Sequence, residues 1–140
     1  MTHLPDGYEL HEGADAAAAY AFLTNSYWAE GITLETVERA FANSLSVSIR
    51  HGAEQVGAAR VVTDYATFAY LNDVHVHQAH RGQGLCGAML RWLLDHPRMQ
   101  GVGRWALFTM DMQDMYKKFG WREYPYPERM MVIDPKLFAA

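Results

Sequence analysis

The chain has 140 residues, half of them hydrophobic and a fifth charged, a composition typical of one globular domain with a real core. The formal net charge of −4 argues against a nucleic-acid partner, which would usually bind a basic face. The single cysteine, Cys86, excludes an internal disulfide, and with no secretory signal or membrane-spanning stretch visible we expect a cytoplasmic protein without a membrane partner.

The first third of the chain predicts a short edge strand followed by two helices. Residues 8–13 alternate between polar and apolar types, which is typical of a strand. Asp15 can cap a helix over residues 16–25, because its carboxylate can accept from the free N–H groups of the first turn. Thr33 begins the second predicted helix, and acidic residues in its first turn favour that start.

The rest of the chain predicts three consecutive strands and then helices that alternate with strands. Alternating segments at 45–51, 54–63 and 67–77 are joined by short turns, which predict an antiparallel meander. Next come a helix over 84–96 stopped by Pro97, a strand over 104–110, a short helix over 111–120 capped by Asp111, and a last strand over 129–134. The order β-α-α-β-β-β-α-β-α-β predicts one α/β (α+β) domain over residues 1–140, with a mixed, mostly antiparallel sheet flanked by helices.

The stretch HRGQGLCGAMLRWLL at 80–94 predicts an anion-binding loop at the start of a helix. Glycines let the backbone approach a ligand, and the helix start offers free N–H groups and a positive dipole end. From Gly82 the stretch matches the dinucleotide fingerprint G-x-G-x-x-G. Against that interpretation, Asp111 lies about thirty residues beyond the glycines rather than about twenty, and too little chain follows for a second half.

The stretch NDVHVHQAHRGQGLCGAMLRWLL also resembles the central motif of the GNAT superfamily of N-acetyltransferases, (R/Q)-x-x-G-x-(G/A). Arg81 and Gly84 occupy the first and fourth positions, and Cys86 stands where Gly or Ala is usual. DMYKKFGW at 114–121 is similar to a C-terminal motif of that family, with Tyr116 kept. The element order agrees too, so the resemblance extends over about residues 8–134.

The resemblance implies that acetyl-CoA is the acetyl donor. Backbone amides of the loop would bind its pyrophosphate, and the edge of the strand before the loop would pair with the pantetheine arm. Thr109 stands where an Asn often contacts the cofactor. The implied cofactor-binding residues are Val74, His75, Val76, Arg81, Gly82, Gln83, Gly84, Leu85, Cys86, Gly87, Thr109 and Tyr116. A buried structural role is the alternative for the Cys86 thiol.

The resemblance also makes Tyr116 the general acid, because a neutral phenol can protonate the leaving thiolate. The strand 67–77 should place Tyr70 and Asn72 on the same face as Val74 and Val76, and Asp73 on the other face unless a bulge intervenes. Members of the resembled family often carry Glu or His at the positions of Tyr70 and Asn72. Neither Tyr70 nor Asn72 is a good base. We therefore expect water to remove the amine proton, relayed by Asp73 or Asp111, with Tyr116, Asp73 and Asn72 as the catalytic set.

The predicted acceptor pocket is aromatic and holds an acid. In the resembled family, the loop between the first two helices usually forms one wall of the acceptor pocket, and here that loop carries Tyr27, Trp28 and Glu30. Tyr65, Phe68 and Tyr70 are candidates for a second wall, and such a pocket suits a small amine. Seven histidines are present, and His75, His77 and His80 are close in sequence. His75 and His77 share one strand face, but no third ligand has a sensible spacing, so no metal is expected.

The sequence therefore predicts direct acetyl transfer from acetyl-CoA to a primary amine of a small molecule or peptide. A coenzyme A-binding regulatory or sensor module without turnover is the alternative. Many members of the resembled family are dimers, which favours a homodimer.

Overall fold

The computed structural model describes residues 4–138 and contains a five-stranded sheet in the order β1-β2-β3-β4-β5. Every strand pair is antiparallel except β4 with β5, as the sequence predicts. The strands are β1 Tyr8–Glu12, β2 Leu45–His51, β3 Glu54–Thr63, β4 Ala69–Val76 and β5 Trp105–Ala106. The helices are α1 Ala16–Leu23, α2 Leu34–Ala42, α3 Leu85–Asp95 and α4 Gln113–Lys117. Within this part of the chain, no helix is long and apolar enough to cross a membrane.

Helices α1 and α2 cover one face of the sheet. Asp15 and Thr33 cap them, since their side chains accept from the N–H groups of Ala17 and Thr36, respectively. The other face packs against α3 and forms the larger core, whose fully buried side chains include Ile49, Leu90 and Leu93. Apolar residues on both sides of the central strands therefore have a helix to pack against.

A β-bulge in the middle of β4 changes which face its side chains occupy. The register between β3 and β4 shifts at this point, and Asp73 has a φ of 58°. Before the bulge, Leu71 packs into the α3 core; after it, Val76 does so. The extra residue of the bulge makes odd and even positions of β4 exchange faces. The Asp73 side chain therefore lies on the α1 side of the sheet, where it forms an ion pair with Arg60. The expectation that Val74 and Val76 share a face with Tyr70 and Asn72 is therefore wrong.

Strands β4 and β5 pair over two residues and then separate. Ala69 lies opposite Trp105 and Tyr70 opposite Ala106, after which no ladder continues within the described residues. The predicted strand over 104–110 is thus much shorter than its apolar sequence indicates. The separation leaves a wedge-shaped notch between the second half of β4 and residues 107–109.

Two expectations for the C-terminal third are wrong. The helix predicted from residue 111 begins at Gln113 with Met112 at its N-cap, because the Thr109 hydroxyl accepts from the Met112 N–H at 3.1 Å and closes a turn first. The last predicted strand, 129–134, is not formed. A 3₁₀ turn spans Pro127–Arg129, and residues 130–134 have no ladder partner among the described residues, so the hydrogen bonds that define a strand are missing.

Candidate active site

The glycine loop lies between the end of β4 and the start of α3, where the sequence predicts it. Gly82 and Gly84 have φ values of 78° and 77°, and Gly84 is the N-cap of α3. A Cβ at either position would meet no atom within 4 Å, so both residues border open space. The first amides of α3 have no intrahelical acceptor and face this space at the positive end of the helix. The loop is therefore open to an anion.

The other predicted loop residues have different surroundings. Arg81 folds back onto the strand, since its Nε donates to the Val76 carbonyl oxygen at 3.0 Å, whereas Gln83 is exposed. Leu85 places its side chain in the core. A Cβ on Gly87 would lie 3.2 Å from Cζ of Phe119, so this glycine makes room for packing rather than for a ligand. Only backbone groups of Leu85 and Gly87 remain for contact with a phosphate.

Cys86 lies half-buried on the first turn of α3. Burial raises the pKa of its thiol to about 11. The positive end of a helix can lower a thiol pKa, but here the loss of solvation dominates. The surroundings of Cys86 therefore favour a structural role over a reactive thiolate.

Tyr116 projects from α4 to the notch between β4 and β5. Its side chain borders a cleft of about 720 Å³ on one side and a second cleft of about 670 Å³ on the other. Burial raises the pKa of Tyr116, and the nearby Cys86 and Tyr27 raise it further. The phenol is therefore neutral over the physiological pH range and can donate a proton.

The larger cleft brings the predicted acceptor-binding residues together, and we call it the acceptor cleft. Its lining includes Tyr27, Trp28, Glu30, Tyr70, Asn72, Asp73, Val74, Phe108, Thr109, Asp111, Tyr116 and Lys136. Val74 comes from β4 and Thr109 from the segment after β5, so the notch opens into this cleft. The rings of Tyr70 and Phe108 meet edge to face with centroids 5.9 Å apart.

A buried ion pair forms part of the wall of the acceptor cleft. The Asp73 carboxylate is 5% exposed and accepts from Arg60 Nε at 2.5 Å and from the Trp28 indole N–H at 3.0 Å. Arg60 also donates to the Ser44 hydroxyl at 3.2 Å. The two carboxylate oxygens thus each have a donor, and the ion pair fixes the ring of Trp28 against the sheet.

Asn72, directly before Asp73, and His75, two residues after it, support the bulge. The Asn72 side-chain oxygen accepts from the Asp73 N–H at 2.9 Å, and the Nδ1–H of His75 donates to the Asp73 carbonyl oxygen at 2.7 Å. His75 stacks on Phe22 of α1 with ring centroids 4.5 Å apart. Burial lowers the pKa of His75, so its imidazole is neutral at physiological pH.

Two suggested wall residues lie elsewhere. Tyr65 packs under the guanidinium of Arg98, whose Cζ is 3.8 Å from the ring centroid, and Phe68 lines the smaller cleft. Sequence reasoning missed Arg60, Phe108 and Lys136 as lining residues. A charged residue inside an otherwise apolar strand was the available signal for Arg60, since such a charge needs a buried partner. Within residues 4–138 no group of three metal-ligating side chains occurs.

The sequence matches the family model described as Acetyltransferase (GNAT) family over residues 9–121. The chain belongs to this family. A crystal structure of a putative GNAT-family acetyltransferase from Xanthomonas campestris pv. campestris is 33% identical, covers 99% of this chain and 100% of that one, and superposes with a TM-score of 0.87.

Two further proteins are similar to the chain. A putative acetyltransferase from Gibberella zeae is 36% identical over 77 residues, which are 51% of this chain and 41% of that protein, so the match spans less than half of its length. A predicted acetyltransferase from Clostridium acetobutylicum, solved with acetyl-CoA, has the same fold at 13% identity, with a TM-score of 0.71 and coverage of 95% and 99% of the two chains.

Proposed function

We propose that this protein is an acetyl-CoA-dependent N-acetyltransferase that moves the acetyl group directly to a primary amine of a small molecule or peptide. The observation that carries the proposal is the open glycine loop at the start of α3, next to a notch that leads past Tyr116 into the acceptor cleft. The protein solved with acetyl-CoA that shares this fold supports the choice of donor. The proposal includes no metal, nucleic acid or membrane, and it places the protein in the cytoplasm, where a free thiol such as that of Cys86 stays reduced.

The residues that would hold acetyl-CoA have the chemistry that its parts need. Amides at positions 82–86 suit a pyrophosphate, because they form a concave set of donors at the positive end of a helix. The unpaired side of β4 around Val74 offers backbone groups to an extended amide arm. The thioester supplies an activated acetyl carbonyl, and the protein needs only to position it beside Tyr116 and the amine.

The transfer requires a proton donor and a proton acceptor. The amine nitrogen forms a bond to the acetyl carbon, the C–S bond breaks, and the Tyr116 phenol gives its proton to the departing sulfur. The amine proton passes to water in the acceptor cleft. Because both Asp73 oxygens already have donors, we assign the relay of this proton to Asp111, an exposed carboxylate that lines the same cleft.

The acceptor cleft suits an amine with an apolar body. Tyr27, Trp28, Tyr70 and Phe108 provide aromatic surface for cation–π and stacking contacts. Glu30 and Asp111 provide negative charge for the ammonium form before it loses its proton. A peptide amino terminus with an aromatic or aliphatic first residue has the same two features.

Calorimetric titration with acetyl-CoA, with NAD as the control ligand, tests the donor. We expect binding of acetyl-CoA and none of NAD; the opposite result overturns the proposal. A panel of arylalkyl, aliphatic and peptide amines, assayed by release of free coenzyme A, then tests turnover. Binding of acetyl-CoA without turnover on any amine would favour the regulatory module instead.

The variant Tyr116→Phe tests the mechanism. Loss of the acid should lower kcat by about 10²-fold or more with acetyl-CoA affinity kept. Tyr20→Phe, which removes a phenol on α1 away from both clefts, is the matched control. Equal turnover of Tyr116→Phe and Tyr20→Phe would remove Tyr116 from the mechanism.

A further inference from the structure

The three lysines of the chain have different surroundings. Lys117 lies on α4, where its Nζ donates to Glu123 Oε1 at 3.2 Å, and it borders the smaller cleft. Lys118 is the C-cap of α4 and lines neither cleft. Lys136 lines the acceptor cleft, as does the proposed acid Tyr116. Of the three lysine amines, that of Lys136 is therefore the one located where the acceptor amine is proposed to bind.

A hydrogen-bonded turn fixes the backbone of Lys136. The Asp134 carbonyl oxygen accepts from the N–H groups of Leu137 and Phe138, each at 3.1 Å. The Asp134 side chain accepts from the Lys136 N–H at 2.9 Å, which is the hydrogen bond of an Asx turn. Because these bonds hold the turn, the base of the Lys136 side chain has a defined place beside the cleft, and the flexible lysine stem gives the amine its reach.

The charges of the acceptor cleft favour an ammonium group inside it. Arg60 is paired with Asp73, so Lys136 is the lining cation that takes part in none of the ion pairs formed within residues 4–138. Glu30 and Asp111 line the same cleft and attract its ammonium. The charges that are proposed to attract an external amine therefore also attract the amine of Lys136.

We propose that Lys136 is an internal acceptor, acetylated on Nζ by acetyl-CoA bound to the same chain. The inference rests on the proposed function, because it uses the same donor, acid and cleft. The Lys136 ammonium first loses one proton to water. Its nitrogen then forms a bond to the acetyl carbon, the C–S bond breaks, and the Tyr116 phenol gives its proton to the departing sulfur. The nitrogen loses a second proton to water, from which the Tyr116 phenol is restored, so the products are acetyl-lysine and free coenzyme A.

Peptide mapping by mass spectrometry, after incubation with deuterium-labelled acetyl-CoA and no added amine, tests the modification. The label separates new acetyl groups from those acquired in the producing cells. We expect Lys136 to be acetylated roughly tenfold or more faster than Lys118, which measures the uncatalysed reaction of an exposed lysine. In Tyr116→Phe the rate at Lys136 should fall by about 10²-fold or more, while the rate at Lys118 stays the same. Equal rates at Lys136 and Lys118 in the natural chain would overturn the proposal.

Two matched variants locate the modification in the intact protein. Lys118→Arg should gain one labelled acetyl group at the rate of the natural chain, whereas Lys136→Arg should gain none on the same time scale. Both substitutions keep the positive charge and remove the acceptor nitrogen. Rapid labelling of Lys136→Arg would place the modified amine elsewhere and remove Lys136 from the proposal.

The dependence on protein concentration tests whether the transfer occurs within one chain. We expect the same first-order rate constant at all protein concentrations with acetyl-CoA saturating. A rate constant that rises in proportion to the concentration would mean that one chain modifies another, and it would overturn the proposal. Turnover of an external amine with Lys136 left unmodified overturns this inference and leaves the proposed function standing, whereas absence of acetyl-CoA binding in calorimetry overturns both.

Discussion

The indole N–H of Trp28 donates to the carboxylate of Asp73 at 3.0 Å, although 45 residues separate them in the sequence. Trp28 belongs to the loop between α1 and α2, and Asp73 is the bulged residue of β4. The bond therefore ties the proposed acceptor-binding loop to the strand on which the proposed donor would lie. Arg60 completes the unit by balancing the charge of Asp73.

Removing the Asp73 carboxylate should destabilise the fold. Asp73→Ala leaves the mostly buried Arg60 guanidinium without a counter-charge and should lower the free energy of unfolding by about 3 kcal/mol. Urea denaturation measures this change. Asp111→Ala removes an exposed carboxylate from the same cleft and should change stability by less than about 0.5 kcal/mol. Similar losses in the two variants would show that the ion pair contributes little.

Adding a methyl group at Gly84 should weaken acetyl-CoA binding. Gly84→Ala introduces a Cβ into the open space before α3, where the amides would meet the pyrophosphate, and we expect at least a tenfold loss of affinity by calorimetry. Gly101 is the matched control, since it also has a positive φ, of 84°, with no atom near its Cβ position. Both variants should lose about 1 kcal/mol of stability from the left-handed backbone. Equal affinities would place the pyrophosphate elsewhere.

Acidification should destabilise the protein through His75. Burial lowers the pKa of His75 in the folded state, so the unfolded chain binds its proton first. The stabilisation is fully present above the ordinary histidine pKa of about 6.5 and is lost as the pH falls below it, by up to about 1.4 kcal/mol per pH unit.

Urea unfolding between about pH 8 and about pH 5 measures this effect. The variant His75→Gln should show a shallower loss of stability on acidification than the natural chain. An unaltered slope in His75→Gln would mean that other groups cause the pH dependence.

The Cys86 thiol should resist alkylation. With its pKa raised to about 11, little thiolate is present at mildly alkaline pH. Iodoacetamide should therefore react on the order of 100-fold more slowly than with an ordinary cysteine. The same protein in concentrated urea is the control and should react at the ordinary rate. Fast labelling of the folded chain would show that the helix dipole outweighs burial at this position.

The sequence predicts the first seven elements, from β1 to α3, well because their signals are local. Asp15 and Thr33 mark the starts of α1 and α2, and regular alternation marks β2 and β3. The glycine loop is equally clear, since Gly82 and Gly84 adopt the left-handed conformations that their type permits. All four predicted acceptor-binding residues line one cleft, because the helix-connecting loop and strand β4 meet there.

The bulge and the last strand were beyond sequence reasoning for different physical reasons. Asp73 adopts a positive φ because Arg60, Trp28, Asn72 and His75 hold it there. Two of these four contacts, those of Arg60 and Trp28, come from the fold rather than from nearby residues of β4. Segment 129–134 has the apolar pattern of a strand, but pattern alone does not provide a neighbouring strand. The prediction of the length of β5 failed for a similar reason, since the point at which two paired strands separate depends on side-chain packing in the fold.

Two residue pairs make up the whole ladder between β4 and β5 in the described part of the chain. A long ladder would fix the width of the gap between the strands, whereas a two-pair ladder fixes it only at the closed end. The packing of Trp105, Leu107 and Trp121 against the core therefore holds the residues around and after β5 in place. The width of the gap is thus a property of side-chain packing rather than of backbone hydrogen bonding.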